Sequence, residues 1–160
     1  MECEKIQVYE LNKTVFDPVN VYMYLDINEI SAVLRDEGFE RGQLQNYATL
    51  YGKPVDLSLV KALAKYLEPL LRGVLRIHIR LWLMPAGEYV AGNAHIDVTI
   101  VAADVPPIRH VALHDLGRAI IADIFAKRNY QIAYERCEGT FENFDGYVVK
   151  IFKPGRRRWS

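Results

Sequence analysis

The chain has 160 residues, 51% of them hydrophobic and 25% charged, with 20 basic and 20 acidic side chains and no net charge. That composition excludes global disorder and a surface that is basic throughout, while leaving room for a local basic patch. The length suits one domain whose core is large enough to need no staples.

The opening residues Met-Glu-Cys-Glu-Lys-Ile carry neither a basic n-region nor an apolar h-region, so they do not read as a signal peptide. Charges such as Arg76, Arg80 and Asp97 interrupt the apolar stretches, so no span of the bilayer and no membrane partner is expected. Residues 5–11 and 19–25 read as strands. In the second, Val19, Val21, Met23 and Leu25 alternate with Asn20, Tyr22 and Tyr24. Asp26 and Glu29 have capping-box spacing, and Ile27, Ile30, Val33 and Leu34 form a helical stripe that stops at Gly38. Leu44, Tyr47 and Tyr51 suit a short helix within 40–52. A second helix is expected from Asp56 or Ser58 to about Arg72, through Leu59, Val60, Leu63, Leu67, Leu70 and Leu71.

Residues 74–103 alternate most strongly and read as a hairpin around Pro85-Ala86-Gly87. A helix from about Ile108 to Lys127 should dock through Leu113, Leu116, Ile120, Ile121 and Ile124. Strands near 130–137 and 145–153 complete the chain. The expected fold is α+β: a single domain over residues 1–152, with order ββααββαββ. One antiparallel or mixed sheet of about six strands carries helices mainly on one face. Residues 153–160 read as a basic C-terminal tail. Cys3 and Cys137 have no metal-ligand spacing and read as two free thiols in a reducing compartment, so the expected location is cytoplasmic.

The polar face of the hairpin is the most informative feature. Leu75, Ile77, Ile79, Leu81 and Leu83 point one way; Arg76, His78, Arg80 and Trp82 point the other. His95 and Asp97 oppose Ile96 and Val98 on the second strand. A loop centred on Ala86-Gly87 sets Arg76 across from Asp97, His78 across from His95, and Arg80 near Asn93. A polar outer face is ordinary for a half-solvated sheet. The concentration of arginine, histidine and tryptophan nevertheless suits an anionic ligand: guanidinium forks grip phosphate and aromatic rings stack on bases. The tail residues Arg156, Arg157, Arg158 and Trp159 repeat that chemistry.

Three readings follow. The leading one is a binding module for single-stranded DNA or RNA, or another phosphate-rich ligand, with no cofactor. Arg76, His78, Arg80, Trp82, His95 and the four tail residues would form its contact surface. A second is a metal-dependent hydrolase or nuclease. His95, Asp97, His110 and His114 are its candidate ligands, with His78 beside them, for zinc, manganese or another divalent ion. A third is a non-catalytic assembly or interaction protein in which a sheet face or edge strand joins a homo-oligomer. Walker, Rossmann and GxSxG motifs are absent, so the sequence does not itself decide whether the chain is an enzyme.

Overall fold

The computed structural model describes residues 1–10, 12–42, 48–63, 75–100 and 108–154. Strands β1 (Lys5–Glu10) and β2 (Lys13–Pro18) form a hairpin, with Asn12 at φ 63° in its turn. Strand β3 (Val21–Tyr24) runs into α1 (Ile27–Asp36). Asp26 caps that helix by accepting from the Asn28 amide at 2.8 Å, and Gly38, at φ 96°, follows its end. Glu29 does not close the anticipated capping box; it accepts from the Tyr130 hydroxyl.

Short strands β4 (Glu40–Arg41), β5 (Ala48–Leu50) and β6 (Lys53–Pro54) follow, then β7 (Leu57–Ala62), β8 (Arg76–Leu83) and β9 (Val90–Ile100). The chain continues through β10 (Ile108–Leu113), α2 (His114–Ala126), β11 (Gln131–Arg136) and β12 (Tyr147–Phe152).

The domain is α+β, with two helices and twelve strands among the described residues, rather than one sheet of about six strands. The larger sheet runs β11-β12-β3-β9-β8-β7-β4, with β10 also paired to β9; the smaller runs β2-β1-β5-β6. Two anticipated helices are corrected. Leu57–Ala62 is a strand because Leu57 and Leu59 share one face with Ile77, Ile79 and Leu81 of its neighbour β8. Residues 64–74, the rest of that expected helix, lie outside the described residues, as do the tail residues Arg156, Arg157, Arg158 and Trp159. The later helix begins at His114, and Ile108–Leu113 instead extends the sheet along β9.

Both helices pack on one face of the larger sheet. Ile30 and Leu34 of α1, and Ile121, Ile124 and Phe125 of α2, meet Ile77, Ile79, Leu81 and Ile96. Leu116, placed in the docking stripe by its spacing, is exposed; the inward face carries His114, Gly117, Arg118, Ile121 and Phe125. The opposite sheet face is also covered. Ile6, Val8, Ala48 and Leu50 of the smaller sheet bury Trp82, Ala91, Tyr22 and Val148.

Cys3 and Cys137 are joined in a disulfide rather than free. The Cys3 amide donates to the Glu138 carbonyl at 2.9 Å and the Glu138 amide to Met1 at 2.8 Å, so backbone pairing brings the two cysteines together. Disulfides of this kind belong to oxidising compartments or to some thermophile interiors. The location inferred from free thiols therefore loses its footing. Among the described residues, no helix is long and apolar enough to cross a membrane.

Candidate metal centre

The hairpin register is the one that a loop centred on Ala86-Gly87 implied. Arg76 pairs with Asp97, His78 with His95 and Arg80 with Asn93, and the ladder is regular from Leu83–Val90 onward. Gly92 hosts no bulge within it. A Cβ there would collide with the Arg80 carbonyl and approach the Leu81 side chain at 2.7 Å, so glycine is required by close backbone approach.

The fate of the polar face differs from expectation. It is enclosed between elements instead of facing water. Arg80, Asn93, His95 and Asp97 are buried, and so is Trp82, whose indole N–H donates to the Lys53 carbonyl at 2.8 Å. A tryptophan held in this way cannot stack on a base. Arg76, at the end of the strand, is exposed.

Burying polar side chains is costly unless each is paired, so their concentration demands an account. Among the described residues, the buried polar side chains are Asn20, Ser58, Arg80, Asn93, His95, Asp97, His114 and Arg118. All but Arg118 belong to one connected region. Arg118 instead donates to both oxygens of Asp145, at 2.6 and 2.9 Å, and to the Tyr147 carbonyl.

Asn93 organises the centre. Its amide nitrogen donates to the Pro18 carbonyl at 2.7 Å, which fixes the orientation of the carboxamide. The same nitrogen reaches His114 Nδ1 at 3.0 Å, so that ring nitrogen accepts and the imidazole is neutral. Asn93 Oδ1 lies 2.6 Å from His95 Nδ1, which must therefore carry a proton. His95 Nε2 is thereby turned to Asp97 Oδ1, 2.9 Å away. His78 completes the group: its Nε2 meets Ser58 Oγ at 2.7 Å, and its Nδ1 lies 3.9 Å from Asp97 Oδ2. One ligand atom from each of His78, His95 and Asp97 can be chosen so that all three lie within 4.8 Å of one another.

Burial, aided by Arg80, lowers the His78 pKa to about 3. Burial likewise lowers that of His114 to about 4, against the opposing pull of Asp17. Both rings are neutral at neutral pH, the form in which histidine binds a metal.

Asp17, from the end of β2, closes the other side. Its carboxylate lies 3.6 Å from His114 Nε2 and 3.7 Å from Arg80 Nη1. Asp17 retains 19% side-chain exposure and His78 15%, against 2% for His95, so solvent approaches along the Asp17–His78 side.

His114 reaches this face because β9 changes partners along its length. β3 pairs with Val90–Gly92 and β10 with Ile96–Ile100. Between them the Asn20 carboxamide takes the place of a strand: its Oδ1 accepts from the Ala94 amide at 2.9 Å, and its Nδ2 donates to the Ala94 carbonyl at 2.8 Å. The same Nδ2 reaches the His114 carbonyl at 3.1 Å. The first turn of α2 enters at this gap, with Gly117 against the His95 backbone.

Of the anticipated ligands, His95 and Asp97 come together, with His78 as third member and His114 beside them. His110 falls on β10 and its side chain lies outside what the structure describes. Asp17, Asn20 and Ser58 were not identified as site residues from sequence. A polar Asn20 between the apolar Val19 and Val21 was the one local hint. No family model, curated protein or solved structure matches the chain, so its functional reading rests on this geometry.

Proposed function

We propose that the chain is a metal-dependent hydrolase whose first-row divalent ion is held by His78, His95 and Asp97. The observation that carries this reading is the orientation of His95. With its Nδ1 committed as donor to Asn93 Oδ1, its Nε2 is the ring nitrogen turned to Asp97 Oδ1, 2.9 Å away, and is the one left to bind a metal. Two ligands of one ion, each bonded at about 2.1 Å, lie ~3.0–3.5 Å apart, so a small adjustment seats a metal. A hydrogen-bond acceptor on the outer ring nitrogen, here Asn93 Oδ1, is the usual way proteins orient a ligating histidine. Two histidines and one carboxylate leave coordination positions open for water and substrate.

A divalent ion held by His78, His95 and Asp97 would supply a Lewis acid and an activated water, and Asp17, beside His114 and Arg80, is the nearby carboxylate that would take up a proton. His114 Nε2 and Arg80 Nη1 flank Asp17 at 3.6 and 3.7 Å.

The test is calorimetric titration of zinc, manganese and iron(II) into chelator-treated protein without a histidine tag. The expected result is one site per chain, with affinity reduced at least ~10-fold in H95Q and D97N. No binding of any of the three ions would refute the reading.

A further inference from the structure

We infer, building on the metal reading above, that Ser58 is a positioning residue that makes His78 a ligand through Nδ1, so that the two histidines hold the ion by opposite ring nitrogens. The local sequence places it. Leu57 and Leu59 of β7 face the apolar core, which turns Ser58 to the other side of the sheet, the face that carries His78 of β8. Ser58 is buried there, and an enclosed hydroxyl is costly unless it is hydrogen-bonded. Among the described residues its side-chain bond is to His78 Nε2, at 2.7 Å. Gly42 leaves the hydroxyl room to point that way. Its amide donates to the Ser58 carbonyl at 2.8 Å, and a Cβ on Gly42 would lie 2.8 Å from Ser58 Oγ.

The contact decides where the ring proton sits once an ion is bound. A coordinating neutral imidazole gives the lone pair of one nitrogen and keeps its proton on the other. With Nε2 against Ser58 Oγ, Nδ1 is the nitrogen on the Asp97 side, 3.9 Å from Asp97 Oδ2. Coordination through Nδ1 leaves an Nε2–H to be buried, and Ser58 Oγ is placed to accept it. His95 is the reverse case: its Nδ1 is met by Asn93 Oδ1 at 2.6 Å and its Nε2 faces Asp97. The ring spacing agrees. His78 and His95 pair across β8 and β9 with ring centroids 5.4 Å apart. Two imidazoles on one tetrahedral ion, each with an N–metal bond of about 2.1 Å, have centroids roughly 5 Å apart. Without an ion, Ser58 serves either tautomer of His78, since a hydroxyl both donates and accepts. Removing it costs the loaded form most, because there the proton has no other ring nitrogen to occupy.

The experiment titrates whichever of zinc, manganese or iron(II) binds into the chelator-treated full chain by calorimetry, comparing the unchanged protein with S58A and S58T. S58A is expected to bind at least ~10-fold more weakly, and S58T, which keeps a hydroxyl, to recover part of the loss. The tautomer is read from proton–nitrogen correlation spectra of the histidine rings in the zinc-loaded unchanged protein. There His78, identified by the peaks missing from H78Q, should carry its proton on Nε2. A merely structural role for Ser58 would not fix that proton, and the measurement does not depend on S58A folding. Binding with His78 protonated on Nδ1, or with S58A affinity within ~3-fold of the unchanged protein, overturns this inference and leaves the metal centre standing. Failure to bind any of the three ions overturns both.

Discussion

Replacing Gly117 by alanine tests the packing that builds the centre. In an ordinary helix interior this change stabilises by about 1 kcal/mol, because alanine loses less backbone freedom on folding. Here the added Cβ would lie 2.5 Å from His95 Cα, 2.6 Å from its nitrogen and 2.7 Å from the Ala94 carbonyl carbon. Those atoms are backbone of a central strand, so no rotamer change relieves the overlap, and α2 must move away from β9. Overpacking of this kind costs about 3 kcal/mol, leaving a net loss of about 2 kcal/mol after the helix gain. For a chain of this size that lowers Tm by roughly 4–8 °C. Urea unfolding followed by circular dichroism measures it, with the exposed neighbour substitution L116A as a control expected within about 0.5 kcal/mol. A stabilised or unchanged G117A protein would refute the close approach of α2 to β9.

Asn20→Ala should cost about 2–4 kcal/mol in urea unfolding, since it strands the amide and carbonyl of Ala94 and one bond to His114. An effect under ~1 kcal/mol would show that the carboxamide does not substitute for a strand. Removing the disulfide with C3A/C137A opens a crosslink spanning 134 residues, for which the loop-entropy relation gives a loss of about 5 kcal/mol. Its denaturation midpoint, compared with oxidised wild type, reports the difference. Arg118 holds the Asp145 carboxyl below the usual carboxylate range. The unfolded chain therefore binds that proton first, so the pair contributes stability above about pH 4 that is lost as acid protonates Asp145 in the folded state. Acid unfolding of D145N should accordingly show a shallower pH dependence below pH 5; a curve parallel to wild type would contradict the assignment.

What could be read from sequence followed local periodicity. Strict alternation gave the two faces of β8 and β9, a loop centred on Ala86-Gly87 gave their register, and Asp26 with Gly38 bounded α1. Periodicity failed where two periods coincide. Leu57-Ser-Leu-Val-Lys-Ala satisfies a helix stripe and an alternating strand alike, and only its pairing with β8 decides between them. Alternation also distinguishes two faces without saying what covers them. The His78–Trp82 face looked solvated because the covering sheet is assembled from β1, β2, β5 and β6, short segments remote in sequence. Asp17 and Asn20 join the centre from more than 70 residues away from β9, beyond the reach of any spacing argument. Gly117 inside an apolar helix was the available sign that α2 is oriented by a close approach instead of by its leucines.

The change of partners along β9 means that the large sheet does not separate its two sides completely. A helix anchored in the apolar layer by Ile121 and Phe125 sends its first residue, His114, through the seam into the polar layer. The core and the centre thus share one rigid lever. A displacement of α2 along its axis, arising from a change in how its apolar side chains seat, moves the imidazole that touches Asn93. The chemistry of one layer can therefore be tuned by volume changes made in the other, without altering a single polar residue.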